Sequence, residues 1–311
     1  MSVFIAGTMT GLTSCLKSDY DECVDDRGNV RLTFSLDENV VSRGSISDYQ
    51  IDSISIYVFD ASTARYEAVA GGGKYFPGQV YELFLTLKGG LYDFIVWTNQ
   101  GEIYKSTIPT FEVTPKNDME LFMDHSAVDF SKDIPDLLYG TPRDANGNPR
   151  SITIIEKRDN HVPIVLTPNV YKINIEVTGL PASATGNYSF AVTDNNSRYE
   201  FSDNSIINSD PDFQYVRTAT AGGGKIETSM KVLQLTSTRT PDFIFKDSSG
   251  NILFENDLVE LITRAYATGS TGPVDFNKTF VFNIKLECNI NMEMTASVNG
   301  WEYKKETNEL E

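Results

Sequence analysis

Histidine, cysteine and tryptophan are scarce in this chain of 311 residues, with 2, 3 and 2 copies respectively. So few leave little material for metal centres or thiol nucleophiles, which need such residues in clusters. Positive charge is short as well. Lys and Arg total 26 against 43 Asp and Glu, a formal net charge of -17. Nucleic acid is bound by neutralising phosphates with Lys and Arg, so no nucleic-acid partner is expected. The longest uncharged apolar stretch, residues 3–14, is the length of a signal-peptide core and too short to span a bilayer.

The motifs of common chemistries are missing too. Gly222-Gly223-Gly224-Lys225 is followed by Ile226, and Gly71-Gly72-Gly73-Lys74 by Tyr75, so neither satisfies the phosphate-loop pattern. Hairpin turns are the expectation for both. His125 and His161 have no ligand neighbours at metal-binding spacing and read as solvated loop or strand-edge residues. Asp144-Ala145-Asn146-Gly147-Asn148 looks like a calcium loop but lacks the distal Glu, which leaves a tight turn. There is no G-x-S-x-G, and carboxylates are too common to nominate a glycosidase pair. The expectation is a protein that is not an enzyme and has no cofactor.

What is present is core material, with 18 Phe, 15 Tyr and 40% hydrophobic residues. Its pattern is that of strands. Val30, Leu32, Phe34 and Leu36 alternate with Arg31, Thr33 and Ser35, and Ile54, Ile56 and Val58 alternate with Ser53, Ser55 and Tyr57. Residues 83–87, a Lys88-Gly89-Gly90 turn and residues 92–97 read as a hairpin. Further strands are expected over 120–123, 152–156, 162–166, 170–177, 188–193, 214–218, 226–235 and 242–245. Residues 280–294 alternate throughout, as one long strand or two joined by a bend, with Cys288 on the apolar side. That placement favours a small buried hydrophobe over a disulfide with Cys23. One segment differs. Leu258, Leu261, Ile262 and Ala265 fall at helical spacing, and Asn256 or Asp257 can cap a short helix over 256–266.

The Gly-rich segment at 70–74 recurs at 221–225, and strands beginning at Val30 and Val170 precede the copies at similar distances. Two β-sandwiches fit, joined at Thr167-Pro168-Asn169, where a proline without an N–H separates two strands. Trp97 and Trp301 are read as core plugs or sheet-rim anchors.

The N-terminus reads as an address. Leu12-Thr13-Ser14-Cys15 fits a bacterial lipobox, in which the cysteine thiol is diacylated and becomes the first mature residue. Acyl chains bury at about 0.8 kcal/mol per CH₂, so two or three give a lasting membrane anchor. No basic segment precedes residue 3, and the expected start of the chain lies upstream of Met1. Lys17, Asp19, Asp21 and Glu22 open an acidic run that serves as a tether or as a signal for export to the cell surface. The resulting division is 1–14 signal peptide, 15–29 lipidated tether, 30–167 N-terminal sandwich, 168–303 C-terminal sandwich and 304–311 charged tail.

Taken in order, several segments are similar to one family. They are Cys15 with Cys23, VRLTFSL (30–36), IDSISIYVFD (51–60), LKGGLYDFIVWTN (87–99), DLLYG (136–140), PNVYKINIEVTGL (168–180), the short helix before FVFNIKL, and Val298-Asn299-Gly300-Trp301. The chain resembles the FimB-type fimbrial anchor subunits, the fimbrillin-like lipoproteins of Bacteroidales type V pili. The resemblance implies an all-β protein of two transthyretin-like sandwich domains, with the one short helix in the second. It also implies an acyl anchor in the outer membrane and a role in attaching a fimbrial shaft and limiting its length. Shaft subunits of that family join by strand exchange, and the charged segment 302–311 is a poor donor strand, so the expected role is acceptor. The N-terminal sandwich is the weaker expectation for the accepting edge, since lipidation at Cys15 tethers it near the membrane. A surface lipoprotein that binds glycans or host ligands through sandwich loops is the alternative.

Overall fold

The computed structural model describes residues 27–36, 49–72, 82–127, 132–209, 212–269, 272–291 and 293–303. Cys15, Lys17, Asp19, Asp21, Glu22 and Cys23 lie outside the described residues, as do Gly73-Lys74 and the tail 304–311.

The first half of the chain gives β1 (Gly28–Leu36), β2 (Ile54–Asp60), β3 (Tyr66–Gly72), β4 (Glu82–Leu87) and β5 (Gly90–Thr98). The short strands β6 (Tyr104–Ser106) and β7 (Glu120–Met123) follow, then β8 (Leu138–Thr141), β9 (Ile152–Ile154) and β10 (Asp159–Pro168). The second half gives β11 (Val170–Thr178), β12 (Asn187–Asp194), β13 (Arg198–Glu200), β14 (Ile206–Ile207), β15 (Phe213–Thr220) and β16 (Ile226–Leu233). It ends with β17 (Asp242–Lys246), β18 (Ile252–Asp257), helix α1 (Leu258–Gly269), β19 (Val281–Cys288), β20 (Met294–Val298) and β21 (Trp301–Glu302). The all-β class and the single short helix in the second half are as the sequence reads.

An eight-stranded sheet runs β3-β2-β5-β8-β10-β1-β4, with β9 beside β5. Its apolar positions 30, 32, 34 and 36 on β1, 54, 56 and 58 on β2, 94 and 96 on β5, and 162, 164 and 166 on β10 bury in one core. A single sheet supplies both walls of that core, so it curls over on itself. β8 lies at the bend, where a Cβ on Gly140 would come within 2.7 Å of a Leu166 methyl and 2.9 Å of an Ile164 methyl and would make those side chains shift. β1 alternates cleanly with a polar outer face, and β10 alternates from Val162 on with Pro163, Val165 and Thr167 outside. β2 and β5 do not, because Tyr57, Phe59, Ile95 and Trp97 bury on the opposite face against the second half.

The second half is a two-layer sandwich, β16-β11-β19-β20-β21 over β15-β12-β17-β18. Phe190 and Phe245 stack at 4.6 Å within its core. Helix α1 is capped by Asp257, whose carboxylate accepts the Glu260 N–H at 2.9 Å. It runs to Gly269 rather than Tyr266, and the last turn is held by Trp301, which meets Tyr266 edge-on at 4.4 Å.

Each half repeats one arrangement. Its first strand pairs in parallel with its last long strand, β1 with β10 and β11 with β19. On the other side that strand pairs antiparallel with the strand following the Gly-rich segment, β4 or β16. The internal repeat in the sequence is therefore a repeat of topology. Between the halves lies a fourth sheet, β14-β13-β7-β6, with two strands from each. Trp97 donates its indole N–H to the Phe201 carbonyl at 3.2 Å across the same seam. Asn169, fully buried just after Pro168, makes a reciprocal amide pair with Asn204.

Two expectations need correction. Residues 82–87 and 90–98 are strands but form no hairpin: β4 pairs with β1 at one edge, and β5 lies between β2 and β8. Lys88-Gly89 is thus a crossover between the two walls of the curled sheet. The 222–225 segment is a tight turn with Gly223 and Gly224 at positive φ, but β15 and β16 belong to different sheets. For residues 280–294 the second of the two expected forms holds: they divide into β19 and the start of β20, because the Asn289 side chain accepts the N–H groups of Asn291 and Glu293 and closes a turn.

Candidate functional site

An unpaired strand edge is a row of N–H and C=O groups ready to bind another chain, and folded proteins normally block such rows. The quasi-equivalent edges β16 and β4 differ in this respect. On β16 the Ser229 carbonyl accepts the Arg217 guanidinium Nε–H at 3.0 Å, and the Lys231 N–H is donated to the Asp133 carboxylate at 3.2 Å. Arg217 also pairs with Asp133, so one ion pair plugs the middle of that edge. The start of β3 is covered too, since Tyr66 exchanges backbone hydrogen bonds with Thr114 and Glu112 at 3.0 and 2.8 Å. β14 and β21, at two residues each, offer no useful ladder.

β4 is open. It pairs with β1 along Thr33↔Glu82 to Gly28↔Leu87, and its outer backbone groups meet no partner among the described residues. The strand ELFLTL carries no Lys, Pro or bulge, the devices that normally protect an edge. Leu83 and Leu85 pack only partly against the enclosed core, so the core is incompletely covered on this side. On the outer face Phe84 stands 69% exposed beside a cleft of about 710 Å³ that it lines with Asn29, Arg31, Glu82 and Asp159. Arg31 and Glu82 form an ion pair on that face, which holds the guanidinium above its ordinary pKa. Chemically this edge can hydrogen-bond an added strand. The half-covered leucines would accept alternate apolar side chains from it.

The hairpin expected over 83–97 would pair this edge with β5 and leave it closed. The usable sign was the absence of protective residues in ELFLTL. The other singled-out residues have structural roles. His161 lies exposed on β10, 2.9 Å from the Thr33 hydroxyl, and the Asp144 carboxylate accepts the N–H groups of Asn146 and Asn148 in a tight turn. Trp97 is fully buried, and Cys288 is buried on the apolar face of β19. Among the described residues, no group of three or more His, Cys, Asp or Glu could hold a metal ion. No helix there is long and apolar enough to cross a membrane.

Three solved structures share this fold. A candidate adhesin from Bacteroides thetaiotaomicron superposes with a TM-score of 0.70 at 15% identity, covering 90% of this chain and 98% of its own. A candidate polysaccharide-binding protein from the same organism gives 0.68 at 16% identity, with coverage of 90% and 98%. The fimbrial anchor protein Mfa2 from Porphyromonas gingivalis gives 0.65 at 16% identity, covering 90% of this chain and 100% of its own. No curated protein sequence matches. The profile of the fimbrillin-A associated anchor proteins Mfa1 and Mfa2 matches residues 20–307, a stretch that takes in every described residue. The chain belongs to the family of fimbrillin-A associated anchor proteins.

Proposed function

We propose that this protein is the lipid-anchored subunit that fixes a fimbrial shaft to the outer membrane and limits its length. In this reading Cys15 carries the acyl chains, and Lys17, Asp19, Asp21 and Glu22 direct the protein to the outer surface. Two sandwich domains, 30–167 and 168–303, stand above that tether. Shaft attachment is by strand addition, and this chain is the acceptor.

The observation that carries the proposal is the contrast between β4 and β16. Two topologically equivalent edges occur in one chain; one is plugged by Arg217 and Asp133, and the other is left open with an exposed Phe84. A protein with no strand to receive gains nothing from an unprotected edge, which is an aggregation hazard. The favoured edge lies in the first half, against the weaker expectation placed on that domain from the position of Cys15.

A photo-crosslinking residue at Phe84 in intact cells tests the reading, with the same residue at Ile252 on the exposed edge strand β18 as control. A covalent adduct with the first shaft subunit from position 84, and none from 252, is the expected result. An adduct from 252 alone would move the acceptor to the second half.

A further inference from the structure

A second cleft, of about 700 Å³, opens on the far side of the seam between the end of β12, the β13–β14 turn and the loop from β16 to β17. Its volume is in the range of small-molecule sites, but its lining is not the usual apolar one. Of the lining side chains only Ile206 is apolar; the rest are amides, hydroxyls and one ion pair.

The ion pair sets the charge. Arg239 and Asp194 are 11% and 6% exposed, and the guanidinium Nε–H reaches both carboxylate oxygens at 3.1 and 2.9 Å. Nη2 donates to the same carboxylate and to the side-chain carbonyl of Asn195, and an Nη1 N–H goes to that of Asn208 at 3.1 Å. An anion entering the cleft finds no uncommitted cation, and a cation finds no uncommitted carboxylate. The same bonds orient the amides. With the Oδ1 atoms of Asn195 and Asn208 held by Arg239, their NH₂ groups are the ends left to face a ligand. Around them stand the hydroxyls of Ser237, Thr238 and Thr240.

We propose that this cleft binds a neutral, polyhydroxylated ligand, a saccharide bearing neither carboxylate nor sulfate. Each sugar hydroxyl both donates and accepts, which matches a wall of amide donors and of hydroxyls that do both. The Arg239–Asp194 pair is the scaffold that aims the two asparagines and does not itself contact the sugar. The site does not depend on the shaft-anchor reading, because it lies in the second half and uses no sheet edge.

The test is binding of the detergent-solubilised full chain to a printed array of neutral oligosaccharides, with sialylated and sulfated glycans on the same array. Retention of neutral glycans is expected. Asn208→Ala and Thr238→Ala should each weaken it by about ten-fold or more, the scale of one lost hydrogen bond to a buried partner. Both residues are exposed at the rim, and an unchanged melting temperature for each variant separates lost binding from lost fold. Preference for the charged glycans would overturn the ligand class. No retained glycan, or retention that both variants leave intact, would overturn the site.

Discussion

The Lys231 ammonium lies 2.6 Å from the Asp136 carboxylate, and the two residues stand 95 positions apart on opposite sides of the seam. Asp136 is 2% exposed and also accepts the Gln50 N–H at 2.7 Å. Lys231 belongs to β16, the edge that Asp133 also blocks, so one short segment of the first half both ties and caps the second.

This pair predicts a stability effect. Removing one partner of a buried ion pair leaves the other charge uncompensated, at a cost of about 3–5 kcal/mol. Lys231→Met should lower the unfolding free energy measured by urea titration by an amount on that scale, and adding Asp136→Asn should recover part of the loss. A double mutant no more stable than Lys231→Met alone would show that the two charges are not coupled.

A pH effect is expected at the same seam. His125 lies 2.7 Å from the Ser197 hydroxyl with its ring 4.6 Å from Phe213. Burial holds its pKa below the ordinary 6.5, with the Asp124 charge opposing. The unfolded chain therefore binds this proton more readily than the folded one, so the stabilising contribution is present above pH 6.5 and lost as pH falls below it. Thermal melts should give a lower midpoint at pH 5 than at pH 7.5, and His125→Gln should reduce that difference.

Lipidation is tested by fractionation. Cys15→Ala should move the protein from the membrane fraction to a soluble one, since acyl chains at that residue are the proposed anchor. Unchanged partitioning of the variant into the detergent phase would remove the assignment.

Replacing Asp19, Asp21 and Glu22 with Ala should leave lipidation intact and keep the protein on the periplasmic face. Protease added to whole cells reports this directly. Cleavage as in the parent would reduce the acidic run to a tether.

Deleting residues 304–311 should leave shaft attachment unchanged, because that segment is charged and has no alternating apolar residues to donate. Shedding of fimbriae by a truncated protein that still reaches the surface would make the tail a donor strand and reverse the assignment.

What was legible in the sequence is what neighbours along the chain decide. The alternation at 30–36 marks which side of β1 is buried, Asp257 followed by Glu260 starts the helix, and Asp144 closes its own turn. Each is a contact within a few residues, and each appears where expected. The short strands β6, β13 and β14 were missed because two or three residues cannot display a period. They build the sheet that joins the halves. Strand partners were not legible either, because the ladder uses backbone groups that every residue carries, so nothing in ELFLTL says whether it lies beside β5 or β1. Whether an edge is open is still further from the local sequence: β16 is closed by Asp133 from 98 positions away, and β4 meets no such residue among those described. Alternation along the chain determined the strands and their buried faces, whereas the packing of one half against the other decided which edge remains available to a partner.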